Sequence, residues 1–363
     1  MSNSATDVIS PAIEHTKQQL FKPFRLKQWT RLAFVGLLAG ELSSGGGCNF
    51  QVPNFPRHTN RSNHFAPSLL ASSPLHAGAL AALIALFVAA GLILIVLFIY
   101  LKSMMRFVLF DSVVNRECRI RESWRRRIRP GFRYFLWQLG FAFVAWIVAA
   151  IIFGGPIGIA YLLGWFHNPD QHLVALILGG IGLFFVFFAY FILLVTATVM
   201  TKDFIVPQMA LEEISAVEGW RRLLQMMKTE KLSYAGYIGM KIVLAIAAGI
   251  LVAIVSLIVI LILAIPISGL GIVAVLGGKA AGMQWDVVTI ALVVVAASIA
   301  FVIIMYLVCL ISVPTIVFFP AYSMYFFAAR YSPLRNVLYP LPAPPQEPPA
   351  LPPPFLPPPE PIG

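Results

Sequence analysis

Five long apolar runs organise the chain, at residues 77–101, 134–153, 173–200, 234–265 and 287–313, each bounded by polar or basic clusters. They are apolar all round rather than on one stripe, and each approaches or exceeds the roughly 20 residues that cross a bilayer at about 1.5 Å per residue. Backbone polar groups inside such runs are satisfied only within a helix. The pattern therefore predicts an all-α, polytopic transmembrane bundle. The second run is interrupted by Gly154-Gly155-Pro156, which predicts a kink or a helix end, since proline removes a donor and clashes with the preceding turn. The run 234–265 is longer than needed and is expected to tilt or project beyond the headgroups. A sixth, weaker candidate is the short apolar core 32–40, preceded by Phe21, Phe24, Leu26 and Trp29.

Charge decides how that sixth segment is read. If it spans, both ends share one side, and 22 of the 26 Lys and Arg lie there, against Arg57, Arg61 and Lys279 opposite and Lys241 within a span. Such asymmetry predicts that the basic side, with both termini, is cytoplasmic, in a bacterial inner membrane. Composition agrees: 59% hydrophobic and 11% charged, against about 25% charged in soluble domains. The net charge of +11 sits beside the spans and points to anionic lipid rather than nucleic acid. Cys48, Cys118 and Cys309 lie in three different environments and imply no disulfide framework. The expected organisation is a cytoplasmic N-terminal segment 1–30, a transmembrane domain 31–330 with an external loop 41–76, and a tail 331–363. Thirteen prolines among residues 340–363 predict an extended, disordered end.

The most informative feature is an internal repeat. Phe107-Val108-Leu109-Phe110 is followed by Glu122-Ser123-Trp124-Arg125-Arg126, and Phe204-Ile205-Val206-Pro207 by Glu218-Gly219-Trp220-Arg221-Arg222. Each copy leads into a long span and a return span, giving parallel units at about 107–200 and 204–313, with a partial third opening at Ile316–Pro320. Between opening and span, each copy predicts an interfacial amphipathic helix. Residues 115–133 hold eight Arg and two Glu interleaved with Ile120, Trp124, Ile128 and Phe132, which suits a helix at the lipid headgroups. Residues 212–231 are nearly neutral and suit a helix docked on protein. Trp124, Arg125, Arg126, Arg127, Trp220, Arg221 and Arg222 are the candidate interfacial or lipid-contact residues. Glu122 and Glu218 precede arginines at helical spacing and are expected to pair with them.

Pro207, Leu211, Glu212, Ala216 and Trp220-Arg221-Arg222, followed by the span led by Tyr234, resemble a motif of bacterial six-helix membrane families. These include the membrane domain attached to some glycerophosphoryl diester phosphodiesterases and uncharacterised relatives. Lys22-Pro23-Phe24-Arg25-Leu26 with Trp29 looks like the start of the uncharacterised members. The resemblance covers most of residues 20–330 and matches the family glutamate at Glu212, whereas the first copy departs from it with Asn115. It implies a fold and a membrane home, not an activity, because no soluble segment is long enough for a phosphodiesterase domain.

Remaining chemistry is sparse. Lys241 lies within a span, where a charge is a functional candidate, but its closeness to the basic side favours a side chain that snorkels to the headgroups. Asp203, Glu212 and Arg106 are near enough to pair with it or with one another. His167 and His172, with Asp170 and His58, His64 or His76, read as turn chemistry rather than a metal site. Gly269, Gly271, Gly277 and Gly278 read as turn glycines, and Pro342–Pro345 as a chance PxxP. No cofactor, metal or catalytic set is expected. The sequence thus favours a non-enzymatic membrane scaffold or lipid-associated module, with anionic lipids and a cytoplasmic-face protein as partners. The alternative is a transporter or channel subunit built from the hairpin repeats.

Overall fold

A computed structural model describes residues 4–41, 74–166, 169–280 and 286–339. Among them the fold is all-helical, with no sheet. In chain order the helices are α1 (Ile9–Phe21), α2 (Leu26–Ala39), α3 (Pro74–Val114), α4 (Ile120–Arg126), α5 (Ile128–Ala149), α6 (Gly155–Leu162), α7 (Leu173–Met200), α8 (Val206–Glu212), α9 (Ala216–Thr229), α10 (Lys231–Ala280), α11 (Val287–Ile311), α12 (Val313–Ala328) and α13 (Ser332–Leu338). Five stretches are long and apolar enough to cross a membrane: Ala82–Val114, Ile128–Leu162, Leu173–Glu212, Lys231–Pro266 and Val288–Ala328.

These five stretches are divided along their length. One end of each presents large apolar side chains outward, from Leu83 to Phe98, Leu136 to Leu163, Leu173 to Val195, Ile242 to Ile265 and Val288 to Tyr306. At about 1.5 Å per residue these faces are roughly 24–42 Å long and bracket a hydrocarbon core of about 30 Å. The other ends gather into a buried base with α1, α2, α9 and α12, centred on Phe107, Phe204, Tyr234, Tyr237, Tyr322 and Phe326. Apolar belt and packed base are thus separate zones of the same helices.

Two prolines shape the path by the same device. A π-helical turn at Ala150–Gly154 precedes Pro156, and another at Thr201–Ile205 precedes Pro207. Each proline lacks a backbone donor, and the wider turn absorbs the missing bond without ending the helix. The predicted break at Gly154-Gly155-Pro156 is therefore a π-turn within one continuous run.

Several expectations change. The sixth candidate is α2, 14 residues and about 21 Å long; it runs antiparallel to the base of α3 rather than forming a helix of spanning length. Arg106 donates to the Ala39 carbonyl at 2.9 Å, and Gln28 to the Arg116 carbonyl at 2.8 Å, at its two ends. Residues 115–133 are not one amphipathic helix. The chain turns at Arg116 (φ +57°), forms α4, and restarts as α5 at Ile128. Gly269, Gly271, Gly277 and Gly278 lie inside α10 rather than in a turn, and Ile316–Pro320 lies inside α12. The N-terminal segment is part of the base: Val8, Ala12 and Leu20 are buried in it, and the Tyr322 hydroxyl donates to the Ala5 carbonyl at 3.1 Å. His58, His64, His167, Cys48 and the proline tail from Pro340 lie outside the described residues.

Candidate functional site

At the junction of base and belt, four elements bring five ionisable side chains together. Glu41 follows the C-cap of α2, Arg106 lies on α3, Lys202 and Asp203 on the second π-turn, and Lys241 on α10. The π-turn sets the placement. Its extra residue per turn directs both Lys202 and Asp203 toward the interior, where an α-helical turn would aim adjacent residues about 100° apart.

Glu41 pairs with Lys202 and, at 3.6 Å, with Arg106. Asp203 pairs with Lys241 and accepts from the Tyr237 hydroxyl at 2.9 Å. The side chains of Glu41 and Asp203 are 3% and 2% exposed and that of Lys241 is 9%, so these are interior charges. Lys241 therefore does not snorkel. A buried carboxylate offers it a closer counter-charge than the headgroups do, and the Tyr237 ring lies 5.7 Å from its ammonium. Glu41, expected at the start of an external loop, is instead one of the most buried acids of the described chain.

The cluster surrounds a cavity of about 30 Å³ lined by Glu41, Arg106, Lys202, Asp203, Pro207 and Pro320, with Ser323 at its wall. Residues 97 positions apart in sequence line it together: Arg106 and Asp203, Leu109 and Val206, Phe110 and Pro207. The aromatic supports are alike in geometry. Phe107 meets Tyr134 edge-to-face at 5.7 Å and 81°, and Phe204 meets Tyr234 at 5.5 Å and 81°.

The seven interfacial candidates fall into distinct environments. Arg125 and Arg126 are exposed, Arg126 pairing with Glu122 at 3.0 Å. Trp124 is half-buried, edge-on to Tyr100 at 6.3 Å. Arg127 turns inward, pairing with Asp111 at 2.8 Å and donating to the Ala210 carbonyl, so it ties α3 to α8 rather than reaching outward. In α9, Gly219 and Leu223 are buried and Trp220 packs on the core, as expected for a docked helix. Arg221 remains exposed while bridging to Glu218 at 3.3 Å. Arg222 bridges Glu218 and Glu212.

Glu212 also accepts from the Tyr331 hydroxyl at 2.6 Å, clamping the end of α8 to the start of α13. Burial and this carboxylate push the Tyr331 phenol above its usual range. Sequence reasoning missed Tyr331, which carries no motif. Beside α4, Arg31, Arg119, Arg121 and Arg125, with Glu122, surround Ile120 and Trp124 in an open groove, and Arg119 is paired with Glu117 and Glu122.

Helical bundle, apolar belt and charged base define a membrane-embedded helical protein. The chain matches the family of unknown function DUF7544 over residues 3–337 and belongs to it. No curated protein and no solved structure matches it.

Proposed function

We propose that the protein is a non-enzymatic membrane module whose basic face holds anionic phospholipid headgroups and docks a protein partner. The observation that carries this reading is the α4 groove. Four guanidinium groups flank Trp124, which stands against Tyr100 at the foot of the outward apolar face of α3. Arginine reaches phosphate with paired donors, and Trp and Tyr favour the headgroup level. The α9 surface, with Arg221 exposed beside its salt bridges, is the protein-docking face.

The charge asymmetry supports a bacterial inner-membrane setting with both termini cytoplasmic. Packing of α1 on the end of α12 supports the shared side. The paired Phe–Tyr contacts and the matched cavity positions support descent of units 107–200 and 204–313 from one parallel repeat. A transporter would need its polar site near the midplane. The buried charges sit at the foot of the belt, which weighs against that reading.

The test is native mass spectrometry of the full chain purified with its lipids. Replacing Arg121 and Arg125 with Gln is expected to strip retained anionic phospholipid while neutral lipid stays. Unchanged anionic lipid would overturn the reading.

A further inference from the structure

The buried cluster does not balance its own charge. Arg106, Lys202 and Lys241 supply three cations, whereas Glu41 and Asp203 supply two carboxylates. Other described acids near the base are committed elsewhere: Asp111 to Arg127, Glu212 to Arg222 and Glu230 to Arg330. The segment that continues from Glu41, residues 42–73, contains no Asp or Glu. Arg106 is 7% exposed, and its Nε has no hydrogen-bond partner among the described residues. That side chain lines the cavity of about 30 Å³, which is large enough for one small ion or water. A buried cation without its counter-charge is costly, and the usual remedies are a partner or an ion.

We infer that the cavity between Arg106, Lys202 and Pro320 is a binding site for one small inorganic monoanion of halide size. Arg106 supplies the free Nε–H donor and Lys202 the adjacent ammonium. Pro207 and Pro320 contribute apolar rings to the wall, and the two carboxylates that also line it, Glu41 and Asp203, are each paired with a lysine. The site lies apart from the α4 groove and stands without the lipid reading, and its small volume suits a single-atom anion. The ion completes the cluster and locks the end of α2 against the second π-turn and α12.

The full chain in detergent, exchanged into gluconate at constant ionic strength, is titrated with chloride while ³⁵Cl line width and thermal unfolding are followed. Saturable broadening displaced by bromide, with an unfolding temperature that rises on the same curve, is expected. Arg106→Gln should weaken the apparent halide affinity about tenfold, the loss of one charge-assisted hydrogen bond. Ser323→Val keeps every charge; the hydroxyl it removes donates to the Pro320 carbonyl and neighbours the Tyr237 hydroxyl that serves Asp203, so the Lys241–Asp203 pair itself is left in place. By filling the cavity wall it should abolish the halide response in a folded protein. Absence of saturable broadening in the unaltered chain, or an undiminished response in Ser323→Val, overturns the assignment.

Discussion

At the scale of single residues, the interior ion pairs decide more than the exposed ones. Lys241 and Asp203 face each other with almost no solvent, so removing one leaves an unpaired buried charge. Lys241→Met is expected to destabilise by about 3–5 kcal/mol, and Lys241→Met combined with Asp203→Asn by much less. Thermal unfolding of the three proteins in one detergent checks this, and equal losses in single and double variants would contradict it. His15 adds a pH dependence. Its Nε2 donates to the Val113 carbonyl at 2.9 Å and its Nδ1 accepts from the Tyr325 hydroxyl at 3.1 Å. Burial, opposed by the Val113 bond and aided by nearby Arg116, holds its pKa below the usual 6.5. The unfolded chain therefore binds the proton first, and stability is lost as pH falls below about 6.5. Between pH 7.5 and 5.5 the unfolding temperature should drop further in the unaltered chain than in His15→Phe.

At the scale of elements, legibility followed how local the cause was. The irregularity before Pro156 and the Glu122–Arg126 and Glu218–Arg222 pairs trace to proline and to helical spacing and were readable in the chain, whereas the π-turn before Pro207 was not anticipated. The division of 115–133 into a turn, α4 and the start of α5 was not, because it follows from Asp111 drawing Arg127 inward. Likewise Lys241 looked like a snorkelling lysine because its carboxylate partner, Asp203, reaches it only when α10 packs on the π-turn. Helix α2 depends on a close approach. A Cβ on Gly36 would meet the Ile316 side chain at 2.6–2.9 Å, near its branch point. Gly36→Val should cost about 1–3 kcal/mol through overpacking, and Ile316→Ala in the same chain should restore part of it. Proteolysis of the N-terminal helices provides the readout, with unchanged resistance in Gly36→Val counting against a tight α2–α12 seam.

At the scale of the whole molecule, the belt and the base make different demands on the chain. The belt needs only apolar length, whereas the base needs α1, α2, α9 and α12 to seal polar groups away from lipid. Docking of α1 on α12 brings residues far apart in sequence to one end, which yields a topological prediction. Single cysteines at Ser4 and Val337, in a chain lacking its native cysteines, should both be labelled from the same side of sealed vesicles. Opposite labelling would refute the shared side.

The sequence by itself determined the membrane-embedded helical class and the five long apolar runs, because each is written in local composition and in spacing along the chain. Membership of a family of unknown function is consistent with that reading. Only the tertiary structure decided that Glu41, Arg106, Lys202, Asp203 and Lys241 share one interior site, that Arg127 faces inward, and that α2 stops at the base. Those outcomes rest on contacts between residues up to 161 positions apart. Their physical cause is the cost of leaving a charge alone in an apolar interior, which no local pattern records.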